Sequence, residues 1–462
     1  MKALSVGEIL NITGGKLLTG NTGIMVDKVS IDSREANEGM LFVPIKGENV
    51  DPHKFIPDVM KYASASFTDR DSVLADIEDE YKERCALILV PSTLRALQEL
   101  GIYIRNHYGK KVVGVTGSVG KTTTREMITA ALSGTVPVFA TPKNYNSAIG
   151  TPITLSMLED QPSEVAVLEH GIDRVGEMDE ITEMSQPDIA VVTNIGTCHL
   201  EKFKTRETIR DEKLKITARM DENGVAFLNG MDKRLYAMKD NLKVKTFFYG
   251  LDERLDYHAE DIRFEDGKSC FTYVHGDIRK PMELKMLGSH MILNAVAAMA
   301  VTEYLGYDLD KAAKKLQEFQ GQRQLVYAVS GGVTFIDDVY NASPDSMKAE
   351  LNVLSEVDCE GRKIAVLGDM LELGEEEELL HAEVGRAVLA SDVDYLVTVG
   401  KLSKNISDVV KASNANDIGA VHFETNDEAI GFLKNFFKEG DTVLFKASNG
   451  MKFKDIVAAL KK

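Results

Sequence analysis

The chain has 462 residues, of which 44% are hydrophobic and 27% are charged, as in an ordinary soluble globular protein. Its 72 acidic and 54 basic residues give a net charge of −18, which argues against general binding to nucleic acid or to an anionic membrane surface. Four widely spaced cysteines exclude a disulfide framework, and no apolar run is long enough to span a bilayer. We therefore expect a cytoplasmic protein of about three domains.

Residues 1–108 are predicted to form a first α/β domain. Apolar runs and helical spacing predict three strands and two helices, at residues 29–33, 40–45 and 86–90 and at 51–62 and 94–108. Polar residues lie at the ends of two of these strands, namely Ser33, Arg34 and Lys46. They are candidates for the rim of a ligand site, and ordinary turns explain them equally well.

The most informative stretch is VVGVTGSVGKTTTREM at residues 112–127. An apolar strand, a glycine-bearing loop and a helix that opens at Lys121 follow one another. The loop N–H groups and the positive end of such a helix bind phosphate, and a lysine ammonium balances the remaining charge. The strict nucleotide-binding pattern requires glycine at Val115, so this is the shorter T-G-x-x-G-K-T-T form. Its strand–loop–helix context predicts a nucleotide site.

The segment 109–321 continues with short apolar strands between helices, which predict a parallel, doubly wound sheet. Strand 165–168 ends at Glu169, and strand 189–193 leads into a loop that contains His199. Ligands of such sheets gather at the carboxyl ends of the strands, so we expect these residues to converge on Lys121. Glu169 and the Thr122 hydroxyl are oxygen donors of the kind that Mg²⁺ prefers. The composition of 230–275 predicts an antiparallel extension.

The α/β alternation restarts in segment 322–462. Strands are predicted at 333–336, 363–367, 395–399 and 442–445, with helices at 345–354 and 375–389. Polar clusters at 144–146 and 337–341 follow probable strand ends, where they could orient a substrate or form turns. The charged helix at 206–215 is predicted to be solvated, and the pattern alone does not distinguish Lys213 from Lys215.

These motifs, in this order, resemble the Mur ligase family of ATP-dependent amide-bond-forming enzymes of peptidoglycan synthesis. The resemblance covers nearly the whole chain. The shared signatures are TGSVGKTTT at 116–124, Glu169, TNIGTCHLE at 193–201, Lys213 and Asn294. Three further stretches resemble the member that acts on D-alanyl-D-alanine: NYNSAIGTPITL at 144–155, DDVYNASPDSM at 337–347, and AVLGDMLELG at 365–374 with His381 behind it.

The resemblance implies an α/β protein of three domains. These are a UDP-sugar-binding domain at 1–108, a central P-loop ATP-binding domain at 109–321, and a Rossmann-like ligase domain at 322–462. It further implies that D-alanyl-D-alanine is ligated to UDP-N-acetylmuramoyl-tripeptide (UDP-MurNAc-tripeptide) through an acyl phosphate, with ATP and Mg²⁺ as cofactors. This is the last cytoplasmic step in making the cell-wall precursor, and we expect a monomer with no nucleic-acid partner.

The same resemblance implies roles for individual residues. The ATP phosphates would contact Gly117, Ser118, Val119, Gly120, Lys121, Thr122 and Thr123. Asn294 would contact adenine, and Arg323 and Asp338 would close over the nucleotide. Magnesium would be held by Thr122, Glu169, His199 and Lys213, the last as a carbamate in several family members. The substrates would meet Ser33, Arg34 and Lys46 at the UDP-sugar end, Asn144 and Asn146 in the cleft, and Tyr340 and Asn341 at the dipeptide.

The chain departs from the family pattern at several positions, mainly in the C-terminal and substrate-facing parts: Pro52, Met291, Ser343 and Asn449. Three alternatives stay open. The first is a sibling ligase that uses another amino acid or a folate, and the second is a P-loop protein that binds nucleotide without ligating. The third is a catalytically silent binding protein. The sequence also leaves open whether the third residue of the acceptor is lysine or diaminopimelate, and whether Lys213 is carbamylated.

Overall fold

The computed structural model describes residues 1–160, 162–265, 267–321, 324–413 and 418–461. Its strands form three large sheets and one two-stranded sheet, with helices packed against them. One large sheet falls within each of the three predicted segments. The mixed α/β class is as predicted, and the exact segment boundaries stay predictions.

The N-terminal part is built on a five-stranded sheet in the order β2-β7-β6-β5-β4, parallel except for β2. Its elements are β1 (Leu4–Ser5), α1 (Val6–Thr13), β2 (Lys16–Thr19), β3 (Met25–Val26), β4 (Lys28–Ser30), β5 (Met40–Phe42), α2 (Ile56–Val59), β6 (Ala65–Thr68), α3 (Asp79–Lys82), β7 (Ala86–Leu89) and α4 (Thr93–Tyr108). The α-helix predicted at 51–62 is wrong in its first part, where Pro52–Phe55 forms a 3₁₀ helix capped by Asp51. The α-helical part is Ile56–Val59.

The central part carries a nine-stranded sheet in the order β16-β15-β14-β13-β12-β11-β8-β10-β9. The first twelve elements of this part are β8 (Lys111–Thr116), α5 (Lys121–Ser133), β9 (Val138–Ala140), α6 (Gly150–Ser156), β10 (Val165–Glu169), α7 (Glu177–Ser185), β11 (Ile189–Val192), α8 (Leu200–Phe203), α9 (Arg206–Leu214), β12 (Val225–Asn229), α10 (Lys233–Tyr236) and β13 (Lys245–Gly250). β8 pairs in parallel with β10 on one side and β11 on the other. The carboxyl ends of these three strands therefore meet at one edge.

The sheet continues into an extension in which β14, β15 and β16 pair antiparallel. The antiparallel extension predicted for 230–275 is therefore confirmed in its later part and wrong at β13, which pairs in parallel with β12 and β14. Its elements and the two following helices are β14 (Tyr257–Glu265), β15 (Lys268–His275), β16 (Ile278–Leu284), α11 (Ser289–Tyr304) and α12 (Leu309–Glu318). α11 is apolar on most of its surface and packs against α5 and the extension. Burial of its alanine-rich faces fixes the helix behind the phosphate loop.

The C-terminal part is a six-stranded sheet in the order β17-β18-β22-β19-β20-β21, parallel except at β17. Its elements are β17 (Leu325–Val329), β18 (Val333–Asp337), α13 (Pro344–Glu356), β19 (Lys363–Gly368), α14 (Glu377–Leu389), β20 (Tyr395–Val399), α15 (Lys404–Ala412), β21 (Gly419–Phe423), α16 (Asn426–Leu433), β22 (Thr442–Lys446) and α17 (Phe453–Leu460). α13 begins at a capping box that Ser343 forms, with Pro344 in the first turn.

The central and C-terminal parts share buried apolar surface. One cluster of buried side chains joins Ile195 and Leu200 from the central part to Ala342 and Met347 from the C-terminal part. Across the described residues, no helix combines the length and the apolar character needed to cross a membrane.

Candidate active site

The loop between β8 and α5 is held by the neighbouring strand end. Gly117 and Gly120 have φ values of +150° and +83°, which side-chain-bearing residues rarely adopt. The Asn194 side-chain oxygen accepts a hydrogen bond from Val119 N at 2.9 Å, and the Asn194 carbonyl accepts one from Ser118 N at 3.0 Å. The loop is thus shaped by residues that follow β11 as well as by its own glycines.

Lys121 is the first residue of α5 and lies over this loop. Its Nζ donates to the Gly117 carbonyl at 2.8 Å and to the Ser118 carbonyl at 3.2 Å. Among the described residues, no carboxylate lies within ion-pair distance of this ammonium. One turn further, Thr124 Oγ1 donates to Asn294 Oδ1 of α11 at 3.0 Å, which joins the helix behind the loop to α5. The Lys121 charge is therefore available to an anion bound at the loop.

Glu169 ends β10 and is buried beside the start of α5. Its Oε1 accepts from Asn146 Nδ2 at 2.8 Å and from Thr122 Oγ1 at 3.3 Å, and Arg125 Nη1 lies 3.9 Å from Oε2. Within the described chain, no three His, Cys, Asp or Glu side chains form a metal-binding group. Mg²⁺ commonly takes one or two carboxylates together with substrate phosphates, and the Glu169–Thr122 pair beside a phosphate loop fits that donor set.

His199 follows β11, the neighbour of β8 on the side opposite to β10, and it precedes the first residue of α8. Its Nδ1 is 2.7 Å from Glu372 Oε2, a carboxylate of the C-terminal part. Burial lowers the pKa of His199, and the Glu372 charge opposes that shift. The sequence pattern does not predict this partner, because the two residues are far apart along the chain.

Lys213 and Lys215 have different environments, which corrects the prediction that helix 206–215 is a solvated element. Lys215 Nζ pairs with Asp179 at 2.7 Å and with Glu212 at 2.9 Å at the surface of the helix. Lys213 is buried. Burial, assisted by the Lys121 charge, lowers the pKa of Lys213 to about 7.

A cleft of about 1040 Å³ runs along this edge between the central and C-terminal parts. Most of the residues predicted for ATP, metal and dipeptide line it: Ser118, Val119, Gly120, Lys121, Thr122, Thr123, Asn144, Asn146, Glu169, His199, Asn294, Asp338, Tyr340 and Asn341. Gly117 and Lys213 are not among the lining residues, and Arg323 falls outside the described residues. The strand-end argument therefore brings distant parts of the chain to one cavity.

Two family models match the chain: the Mur ligase middle domain at residues 115–302, and the "Mur ligase, glutamate ligase domain" at 322–449. The UDP-N-acetylmuramoyl-tripeptide–D-alanyl-D-alanine ligase of Bacillus subtilis (strain 168) is 36% identical over 438 residues. This alignment covers 94% of the chain and 93% of the relative. The chain belongs to the Mur ligase family. The family predicted from the sequence motifs is thus confirmed.

Solved Mur ligase structures share the fold. A crystal structure of MurF from Acinetobacter baumannii has a TM-score of 0.91 at 29% identity, over 100% of this chain and 99% of that one. The structure of MurF from Thermotoga maritima in complex with ADP has a TM-score of 0.82 at 29% identity, over 94% and 97% of the two chains. These likenesses confirm the predicted three-domain α/β architecture.

The residues predicted at the UDP-sugar end of this Mur ligase do not line the cleft. Ser33 starts a 3₁₀ turn that Asp32 caps, and the Arg34 guanidinium donates to the Asp32 carboxylate at 2.6 and 2.9 Å. Lys46 is exposed after β5. Their role in substrate binding stays a prediction.

The C-terminal wall of the cleft contains a cluster that the motifs do not predict. The Asp338 carboxylate pairs with Lys446, a buried lysine whose Nζ also donates to the Asn341 carbonyl at 3.2 Å. Beside this pair, buried Glu350 accepts from Gln324 Nε2 at 3.1 Å. The buried ammonium group of Lys446 therefore holds Asp338 and Asn341 in place in this Mur ligase.

Glu350 also lies 3.5 Å from His290 Nε2 of α11, which belongs to the central part. Burial and the charge of Asp338 raise the pKa of Glu350 to about 8, against the opposing effects of Lys446 and Gln324. Burial lowers the pKa of His290 to about 4, so its imidazole is neutral at pH 7. The cluster thus holds a carboxyl group that is more readily protonated than an ordinary glutamate.

Glu350→Gln is expected to stabilise this Mur ligase above pH 7. A pKa that is higher in the folded than in the unfolded chain makes the carboxyl stabilising at low pH and costs stability as pH rises from about 4.5 to about 8. The amide carries no such cost, so the variant should gain on the order of 1–3 kcal/mol, or roughly 2–8 °C in melting temperature, at pH 8.5. At pH 4.5 the two proteins should melt alike.

Thermal melting at both pH values, followed by circular dichroism, measures this difference. Glu360→Gln is the matched control, because Glu360 is exposed in the same part of the chain. A melting difference that is the same at pH 4.5 and pH 8.5 would contradict the burial argument.

Proposed function

We propose that this chain joins D-alanyl-D-alanine to UDP-N-acetylmuramoyl-tripeptide, with conversion of ATP to ADP and phosphate. The observation that carries the proposal is that the phosphate loop and Glu169 line the same cleft as Tyr340 and Asn341 of the C-terminal part. The names of the relatives agree with the reaction predicted from the sequence. Segments 1–108, 109–321 and 322–462 would hold the UDP-sugar, ATP and dipeptide, respectively.

ADP in the Thermotoga maritima relative supports ATP as the phosphate donor. The loop N–H groups and the Lys121 ammonium bind the phosphates at the amino end of α5. In the first step, a carboxylate oxygen of the tripeptide attacks the γ-phosphorus, and the bond from that phosphorus to ADP breaks. Two anions must approach each other, so Lys121 lowers the repulsion between them in an otherwise acidic protein.

We further propose that Glu169, Thr122 and His199, together with Lys213 as a carbamate, would hold Mg²⁺. When bound, the ion supplies positive charge to the phosphate oxygens. The buried amine of Lys213 is partly neutral near pH 7, and a neutral amine can react with CO₂ to form a carbamate. That reaction would turn a buried cation into an oxygen ligand.

In the second step, the amine of D-alanyl-D-alanine attacks the acyl carbon. The carbon–oxygen bond to phosphate then breaks, which releases phosphate and a proton. Tyr340 and Asn341 lie on the wall where this amine would enter. Closure of the C-terminal part over the cleft would keep water from the acyl phosphate.

We propose that the protein works in the cytoplasm as a monomer. Its four cysteines are all free, which suits a reducing compartment. Both proposed substrates are soluble nucleotide or peptide molecules, and no nucleic-acid partner is needed.

Phosphate release from ATP tests the reaction. It should require UDP-N-acetylmuramoyl-tripeptide and D-alanyl-D-alanine together, with the pentapeptide product identified by mass spectrometry. Release with another amino acid in place of the dipeptide would indicate a sibling ligase. Release with ATP alone would indicate a P-loop protein that does not ligate, and no release at all would indicate a silent binding protein.

A further inference from the structure

The contact between His199 and Glu372 joins the central part to the C-terminal part. Glu372 lies in the segment between β19 and α14, and its Oε2 is 2.7 Å from His199 Nδ1. The distance is that of an ion pair, although the ring lacks the alignment of a hydrogen bond in this arrangement. Both residues have left-handed backbones, with φ of +59° at His199 and +64° at Glu372. Such strain in non-glycine residues persists only where the surrounding structure holds it, and it concentrates at functional sites.

The segment that carries Glu372, residues 369–374, is firmly held at its base. Met370 N donates to His381 Nε2 at 2.9 Å, and Leu371 N donates to Ser448 Oγ at 3.0 Å. The Asp369 carboxylate accepts two backbone N–H groups from the turn before α15. Because these contacts anchor the segment, the backbone at Glu372 is held beside His199.

The tip of the segment packs directly on α8. At Gly374, which has φ of +67°, a Cβ atom would lie 3.1 Å from Glu201 Cα and 3.2 Å from Glu201 Cβ. Leu200, also on α8, belongs to the apolar cluster that includes Met347 of α13. The segment therefore meets α8 as part of a larger packed interface between the central and C-terminal parts.

A carboxylate at Nδ1 has a defined chemical effect on a histidine. Once the ring is aligned for a hydrogen bond, the carboxylate fixes its orientation and tautomer and leaves Nε2 as the ring atom available to a ligand. Histidines that bind metals usually have such a partner, and loss of the partner typically weakens metal binding or activity by 10–100-fold. His199 lines the cleft, whereas Glu372 does not, so Glu372 acts on the site through His199.

We propose that Glu372 is a positioning residue that aligns His199, so that the His199 side of the ATP site is complete only when segment 369–374 is docked on α8. This inference rests on the proposed ATP-dependent ligase function. The part of the chain proposed to receive the dipeptide would then also complete the site proposed to bind ATP. Acyl-phosphate formation would be slow until the C-terminal part is docked.

Glu372→Gln tests the proposal, because it removes the negative charge and retains the size of the side chain. Mn²⁺ affinity, measured by electron paramagnetic resonance with a non-hydrolysable ATP analogue, should fall by about 10–100-fold. In turnover assays, the Mg²⁺ concentration for half-maximal rate should rise, while the KM for D-alanyl-D-alanine stays unchanged. Glu372→Asp retains the charge on a shorter side chain, so its loss of Mn²⁺ affinity should be smaller.

Glu378→Gln is the matched control, since Glu378 is an exposed glutamate on the neighbouring α14. Equal Mn²⁺ affinities for Glu372→Gln and Glu378→Gln would overturn the proposal. So would a loss that Glu372→Asp does not reduce. The Mn²⁺ measurement needs no turnover, so it stays interpretable if phosphate release shows that the proposed reaction is wrong.

Discussion

Lys121→Ala is expected to reduce turnover by at least about 10²–10³-fold, the usual cost of removing one charge-stabilising group from an active site. The wild-type ammonium lies over the loop and donates to the Gly117 and Ser118 carbonyls through the hydrogen bonds described above. Its removal deletes the cation that allows the tripeptide carboxylate to approach the γ-phosphate. The fold should stay intact, because those two bonds lie within a single loop. Phosphate release under saturating substrates measures the effect, and circular dichroism with thermal melting checks the fold.

Lys110→Ala is the control for this experiment. Lys110 directly precedes β8, and its Nζ donates to exposed Glu164 at 2.8 Å. Exposed ion pairs of this kind contribute about 0–1 kcal/mol, so this variant should be nearly as active as the wild type. Near-normal turnover of Lys121→Ala would refute the role assigned to the lysine.

Gly117→Ala is expected to weaken nucleotide binding strongly and to lower the melting temperature. A Cβ atom at this position would lie 1.8 Å from Thr193 Oγ1 and 3.1 Å from Asn194 N, at a φ of +150°. The clash would displace the residues that hold the loop, because Thr193 Oγ1 donates to the Val119 carbonyl at 2.5 Å. A loop moved by even 1 Å no longer presents its N–H groups to phosphate. Calorimetric titration with ATP should show at least about a tenfold loss of affinity.

Gly276→Ala separates steric clash from backbone strain. Gly276 also has a positive φ, of +55°, but a Cβ atom there would meet nothing within 4 Å. This variant should lose some stability and bind ATP normally. In the double variant Gly117→Ala/Thr193→Ala the clashing hydroxyl is absent. Its loss of ATP affinity should therefore be smaller than the sum of the losses measured for Gly117→Ala and Thr193→Ala alone. Full additivity would show that the Thr193 hydroxyl is not the obstacle.

The parts of the site that sequence reasoning predicts are those encoded by local patterns. Val112–Val115 contain no polar side chain, as expected of a strand that is buried on both faces of a parallel sheet. The loop glycines and Lys121 follow directly in the sequence. Glu169 is predicted because it ends a second such strand, and parallel strands place their carboxyl ends together. The same logic brings His199 to the cleft.

Other parts of the site depend on packing that no local pattern contains. Lys213 and Lys215 look alike in the sequence. Their environments differ because α9 packs with Lys213 buried, whereas Lys215 pairs with Asp179. Glu350 looks like a surface residue of an amphipathic helix until α13 packs on β22 and the buried carboxyl group comes to lie beside His290 of α11. Glu372 belongs to a recognisable motif, but its contact with His199 depends on how two sheets dock.

The position of β8 inside its sheet has a consequence for how the protein is made. The two neighbours of β8 are β10 and β11, and β11 ends about 75 residues after β8 does. At roughly 5–20 residues per second, a ribosome takes about 4–15 s to supply that length. Asn194, which ties down the loop after β8, emerges later still. A nascent chain therefore acquires its nucleotide-binding loop only once the middle of the protein is synthesised, and ATP cannot assist the earliest folding events.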